Sequence, residues 1–342
     1  MTVRKVLFCL ILLSTALILD AKSFEKYMYF SNKAELLIAQ ERYQAAVMQY
    51  DSAFAYWEKP FAADYRNALQ CAVIGDNMEK GYRYARALML LGCDIDFFRK
   101  QARLKKFRAS KAWRQLIDEY AALRQAYLER CNWQLRSKLE QLKGRDQYWR
   151  NQDPTYTIFP DSTYKEDKEI MKDLLSCLKD GYPTEWEIGV FISRDTVLES
   201  DPISILLYHN YVSDETYKEG PDLTEQLLGC VKSGQLHPEV FASLHNRSGG
   251  YRVMEGYGYD SFVYLIKGKY YTEKRSAAQI NSMEQLRSEI WLDSLEEMKE
   301  KFVFQNCLNK GHFGFFQGSF LSIDDMPIPL LQQFFEEVEE CK

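Results

Sequence analysis

The chain lacks the signatures by which catalysts are usually found. No serine stands in G-x-S-x-G, and no glycine loop leads into a basic-serine phosphate cradle. Its histidines, His209, His237, His245 and His312, show no metal-ligand spacing and no H-E-x-x-H, so no metal and no cofactor is expected. It also lacks positive charge: the formal net charge of -5 argues against nucleic acid or an anionic membrane surface as a main partner. Basic residues crowd only from Arg99 to Arg108, where a solvated basic turn is the simpler reading. No two cysteines form C-x-x-C. Cys71, Cys93, Cys131, Cys177, Cys230, Cys307 and Cys341 are odd in number and lie mostly on apolar helical faces, so they read as small buried hydrophobes, with room for one disulfide.

What is present is length, apolar content and an address. A chain of 342 residues with 46% hydrophobic residues can bury two cores. Residues 1–23 read as a signal peptide: Arg4 and Lys5 open it, Val6 to Leu19 form the apolar run, and Ala21-Lys22-Ser23 offers a small-x-small cleavage site. The run is about 14 residues, short of the ~20 that span a bilayer, so no stable span is expected after cleavage. The protein is therefore expected to be exported, to the periplasm or beyond.

Residues 24–108 carry a repeat. Ala34 returns as Ala68, Tyr50 as Tyr84 and Ala53 as Ala87, a spacing of about 34 residues. Gly75-Asp76 makes a turn in the second copy and Pro60 closes the first. The pattern resembles the tetratricopeptide repeat, in which small residues let two helices of a hairpin approach and aromatics fill the gaps. That resemblance implies a surface for a protein or peptide partner. Two copies bury little alone, so Asp94 to Trp113 is expected to supply a third layer or cap.

Residues 109–150 contain no proline and a single glycine, Gly144. Trp113, Leu116, Ile117, Tyr120, Leu123, Tyr127, Cys131, Leu135, Leu139 and Leu142 recur in steps of three and four, as on one face of a long helix or of two joined by a bend. This stretch is expected to join the two halves and to be buried against both.

Residues 151–342 read as an α+β domain. Helices are predicted from a capping box at Thr163-x-x-Glu166 to Leu178, then Ile203 to Tyr211, Pro221 to Lys232, His237-Pro238 to Leu244, Asn281 to Glu289, and from Ser294-x-x-Glu297 to Cys307, with a last one over Pro329 to Glu339. Alternation predicts strands over Tyr251–Tyr257 and Ser261–Tyr271, turning at Gly258-Tyr259-Asp260, with Gly311–Phe320 as a third. The fold class is mainly α: a short helical array, a long connecting helix, and helices around a small antiparallel sheet.

Over roughly Leu135 to Phe302, Asp146-Gln147-x-x-Arg150, Gly181-Tyr182-Pro183, His209, Gly234 with Pro238, Arg247, Tyr257-Gly258, and Arg287 with Ile290-x-Leu292 stand in an order that resembles an uncharacterised bacterial domain family. Asn246 and Tyr211 replace carboxylates of the family pattern, and Trp291 stands where the pattern has glycine. The resemblance implies a domain and no particular reaction. It nominates Asp146, Gln147, Arg150, His209, Arg247 and Tyr257 as a ligand-binding or hydrolase-like site, whereas the simpler reading of Asp146 and Arg150 is an ion pair along a helix end. The leading expectation is a non-catalytic protein- or peptide-binding module of the cell envelope, with the polar set as the alternative.

Overall fold

The structure is a computed structural model that describes residues 23–152, 157–193, 197–199, 201–212, 221–248, 256–258, 264–266, 268–308, 313–315, 321–323, 327, 329 and 333–338. The predicted signal peptide lies outside them except for Ser23. That residue caps the first helix, its hydroxyl accepting from the Lys26 amide at 3.3 Å.

Two helical hairpins form the N-terminal array: α1 (Phe24–Ala39) with α2 (Tyr43–Tyr56), and α3 (Ala62–Ile74) with α4 (Met78–Leu90). Of the recurring positions Ala34, Tyr50, Ala53, Ala68 and Tyr84 are buried, and Ala87 is half-buried. A short α5 (Ile95–Arg99) and α6 (Lys105–Arg108) drive Phe97, Phe98 and Phe107 under the second hairpin. With α7 they form the expected third layer. In the basic turn, Arg108 donates to the carbonyls of Phe98 and Gln101, while Lys105 and Lys106 are exposed.

The long stretch is two helices, α7 (Lys111–Arg130) and α8 (Trp133–Gln152). Cys131 is extended (φ -65°, ψ 129°), and the Asn132 side chain accepts from the Leu135 amide at 3.1 Å, capping the new helix. The break divides the stripe. Leu116 and Leu123 enter the core of the array, and Leu139 and Leu142 enter a second core built by the C-terminal half. At the bend Tyr127 fits between Gly92 and Gly189. A Cβ would lie 2.8 Å from the ring at Gly92 and 2.6 Å from its hydroxyl at Gly189, so both chain segments approach it only as glycine.

The second core is packed by α8, α9 (Pro160–Cys177), α11 (Pro202–Val212), α12 (Thr224–Lys232), α13 (Pro238–Ser248), α14 (Ala277–Glu289) and α15 (Leu295–Phe302). A single turn, α10 (Glu185–Ile188), leads into an antiparallel pair, β1 (Phe191–Ser193) and β2 (Val197–Glu199). A second sheet has the order β5-β3-β4-β6. Its strands β3 (Tyr264–Ile266), β4 (Lys269–Glu273) and β6 (Phe335–Glu337) are antiparallel, while β5 (Leu321–Ile323) lies parallel to β3. Mainly α with a small sheet is therefore the fold. No described helix is long and apolar enough to cross a membrane.

Several boundaries differ from expectation. Thr163 is not a cap: α9 begins three residues earlier with Pro160 in its first turn, and Glu166 pairs with Arg145 at 2.7 Å instead of closing a box. The alternation over Ser261–Tyr271 hides a turn at Gly268 (φ 79°), which splits one expected strand into β3 and β4; residues 251–255 lie outside the described set. Phe335–Glu337, expected within a helix, is extended because the open edge of β4 takes its backbone hydrogen bonds. Of the Gly311–Phe320 strand only residues 313–315 are described, and they are irregular. The described cysteines 71, 93, 131, 177 and 230 are free thiols, all buried except the half-buried Cys177.

Candidate functional site

Four of the six nominated residues meet. Asp146, at the end of α8 and 1% exposed, lies 2.8 Å from His209 Nδ1 through each carboxylate oxygen. It also accepts from Gln147 Nε2 at 2.6 Å and pairs with Arg150 at 2.9 Å. Arg150 reaches across to α9, gripping Asp167 in a fork of 2.9 and 2.8 Å. Burial pushes the Asp167 carboxyl up, against the pull of Arg150. Asp167 was missed by sequence reasoning, because in isolation it is one more acid on a charged helix face.

This network fastens α8, α9 and α11 together. His209 borders an open cavity of 290 Å³ with Ser204, Ile205, Tyr208, Val240, Ser243 and Leu244, but the Asp146 carboxylate is committed inward. The other two residues stand elsewhere. Tyr257 packs edge-on against Phe241 and His245, and its carbonyl accepts from Arg287 at 2.7 Å. The side chain of Arg247 lies outside the described residues.

A different cavity, of 240 Å³, opens between the array and the C-terminal half. Glu35 of α1, Asp64 and Arg66 of α3, Glu185 of α10, Asp201 before α11, and His237 and Glu239 at the start of α13 line it together. Apolar walls come from Phe61, Val190, Leu236 and Phe315 among others. Ser204 and Val240 line both cavities and so stand between them.

The charges around it are treated unequally. Asp64 accepts from the Tyr27 hydroxyl, which in turn accepts from the Phe61 amide. Asp201 accepts from Tyr182 at 2.8 Å and from the Ser204 amide at 3.0 Å. Glu35 receives Lys301 at 2.6 Å, a bond that ties α1 to α15. Lys301 also meets Asp293 at 3.0 Å, which Arg287 holds at 3.0 Å. Burial works against the charge on Lys301, but Asp293, Glu35 and Glu239 more than offset it and raise its pKa. Glu185 accepts from the Ala62 amide at 2.6 Å, yet burial still raises its pKa to about 7.

Glu239 and Arg66 stand apart. Glu239 is 5% exposed and its carboxylate forms no hydrogen bond among the described residues. His237 Nδ1 is 3.6 Å away and already accepts from the Glu239 backbone amide at 3.3 Å. That nitrogen therefore presents a lone pair, in keeping with a histidine whose pKa burial and Lys301 lower to about 3. Burial, then the neighbouring Glu35, pushes the Glu239 carboxyl upward. Across the site, Arg66 has a buried Nε without a hydrogen-bond partner, and no carboxylate pairs with it among the described residues. Burial, then Arg103, lowers its pKa to about 10.

None of the charged lining residues belongs to a motif, although Tyr182 and Pro183 of the Gly181-Tyr182-Pro183 stretch also line the cavity. The charged ones come from four helices and the turns before two of them, and Glu239 in the first turn of α13 passes for an ordinary complement to the helix dipole. The one signal was its setting, between Leu236 and the apolar pair Val240-Phe241.

The array meets a second stretch of its own chain here. Asn67 holds the Gly314 backbone at both ends, donating to its carbonyl at 3.1 Å and accepting from its amide at 2.9 Å. Phe313 stacks on Tyr43 at 5.8 Å, and Phe304, Phe313 and Phe315 complete the array's core. No group of three or more His, Cys, Asp and Glu side chains is arranged to hold a metal ion among the described residues. No family model matches the chain, and neither a curated protein nor a solved structure does.

Proposed function

We propose that the chain is an exported, non-catalytic binding protein of the cell envelope, and that its ligand occupies the cavity between the array and the C-terminal half. One observation carries this reading: polar groups of both halves line a single cavity, among them Glu239, whose carboxylate forms no hydrogen bond among the described residues, and Arg66, whose buried Nε has no hydrogen-bond partner there. Export rests on the charged start, apolar run and cleavage site within residues 1–23. The array, whose spacing resembles tetratricopeptide repeats, serves here as one wall of a site, its face toward residues 313–315 being filled in cis. Resemblance of the C-terminal half to the uncharacterised bacterial family gains support from two of its motif positions. Arg287 is fully buried and donates to the Tyr257 carbonyl, and Trp291 adopts φ 62°, the left-handed backbone that suits the family's glycine.

A thermal-shift screen of small metabolites on wild type and on Ala63→Trp tests the proposal. Ala63 is an exposed residue at the cavity wall, so the indole fills the site without disturbing the core. A ligand at a hundred times its Kd stabilises by about 2.7 kcal/mol. The expected result is a stabilising compound that loses its effect in the variant; a panel that moves neither protein overturns the reading.

A hydrolase-like activity is the second reading, and a specific contact favours it. A carboxylate behind His209 Nδ1 is the arrangement that orients an imidazole as general base, and His209 borders the 290 Å³ cavity. Turnover of ester or peptide substrates that vanishes in His209→Gln would support it; inertness of the wild type toward both classes would remove it.

A further inference from the structure

Resting on the reading of this cavity as a ligand site, we propose that its occupant is a small apolar zwitterion of amino-acid size. Its ammonium lies on Glu239 and its carboxylate on Arg66. A cluster of acids alone would suggest any cation. The pairing of two unmatched groups of opposite sign narrows the class. Glu239, 5% exposed, lines the cavity with no hydrogen bond to its carboxylate among the described residues. Arg66 lines the same cavity with its Nε buried and without a partner. The two do not pair with one another. Leaving either group unmet in a buried site is costly, and one molecule carrying both complementary charges resolves both.

Competing ligand classes fit less well. A simple anion answers Arg66 but meets five carboxyl groups, those of Glu35, Asp64, Glu185, Asp201 and Glu239. A simple cation answers Glu239 but leaves Arg66 facing Arg103 with no acid beside it. Phe61, Val190, Leu236 and Phe315 call for an apolar body between the charged ends. The 240 Å³ available is below the roughly 300–1,000 Å³ of drug-sized sites, so that body is short. The guanidinium also has a fixed seat. It lies where a side chain at Gly314 would be, since a Cβ there would fall 1.6 Å from Arg66 Nη2. The Asn67 clamp holds the Gly314 backbone against it.

Calorimetric titration of the full chain with L-leucine, L-phenylalanine and their dipeptides provides the test. Whichever compound binds best is then compared with its amide, its N-acetyl derivative and its parent amine. The expected result is that removing either charge weakens binding at least tenfold. In Arg66→Met the acid and its amide should bind alike, and in Glu239→Gln the free and N-acetylated compounds should. A parent amine that binds as tightly as the amino acid overturns the zwitterion while leaving a cation site. Equal binding of the N-acetyl derivative overturns it in favour of an anion site. If no amino acid, dipeptide or derivative binds while the metabolite screen still finds an Ala63→Trp-sensitive compound, only the ligand class falls. If that screen is also silent, the cavity reading falls with it. Gly314→Ala is a second handle on the same claim: displacing Arg66 should reproduce the loss of acid-over-amide preference while the unfolding midpoint stays close to wild type.

Discussion

Asp146 and Glu239 are both carboxylates buried to within a few per cent of total exclusion, and the chain uses them in opposite ways. Asp146 takes a histidine, a glutamine amide and a guanidinium, and thereby fastens three helices. The Glu239 carboxylate forms no hydrogen bond among the described residues, with only His237 Nδ1 beside it at 3.6 Å. The contrast separates two reasons for burying an acid. A saturated carboxylate is part of the scaffold, and its removal leaves its partners stranded. An unsaturated one is carried at a cost, so its removal relieves the fold and harms something else. The nominated carboxylate, Asp146, is of the first kind, and those that line the central cavity include the second.

Lys301 offers the strongest test of the scaffold side. Its ammonium lies between Glu35 and Asp293 and joins the array to the C-terminal half. Lys301→Met leaves Glu35 buried without its cation, and breaking a buried pair in this way costs about 3–5 kcal/mol. Urea denaturation should show a loss of that size; a change below about 1 kcal/mol would mean that the pair does not hold the halves together. Asp146→Asn should come next, at about 2–3 kcal/mol, because Arg150 keeps Asp167 while His209 loses its charged acceptor. Glu239→Gln should cost nothing or stabilise by about 1 kcal/mol, since it removes a desolvated acid whose carboxylate has no hydrogen bond among the described residues. A destabilisation as large as that of Asp146→Asn would erase the distinction.

The difference in legibility has a physical origin. Helix pairing in the array, the third layer and the amphipathic stretch were all readable, because each depends on neighbours three or four residues apart. The bend at Cys131-Asn132 was foreseeable only as an option, since a stripe that changes partner midway keeps its period while Leu123 and Leu139 enter different cores. Asp146, Gln147, Arg150 and His209 do come together, but their mutual saturation is a matter of distance and has no trace in sequence. The cavity was illegible for the same reason. Glu35, Arg66, Glu185 and Glu239 reach it from four helices and have no common spacing. Short strands fared worst: Phe335–Glu337 is extended because β4 offers an edge, a cause that lies more than sixty residues upstream.

The finest difference between the two regions should appear in pH dependence. Glu185 lines the cavity with a pKa raised from 4.5 to about 7, chiefly by burial, the Ala62 amide only partly offsetting it. An acid whose pKa is higher in the folded than in the unfolded state favours folding while protonated. Its contribution is full below pH 4.5 and is lost as pH rises towards 7. His237 runs the other way. With its pKa lowered from 6.5 to about 3, its contribution is full above pH 6.5 and is lost as pH falls towards 3. Between pH 4.5 and 6.5 the two oppose each other, so the slope of the wild type alone would not identify either. Glu185→Gln keeps an acceptor for the Ala62 amide and removes only the titration. Its advantage over wild type should therefore be small at pH 4.5 and grow to about 3 kcal/mol by pH 8, one pKa unit being worth about 1.4 kcal/mol. Unfolding free energies that stay parallel across this range would show that water already reaches Glu185, and that the cavity wall it forms is no more demanding than the surface.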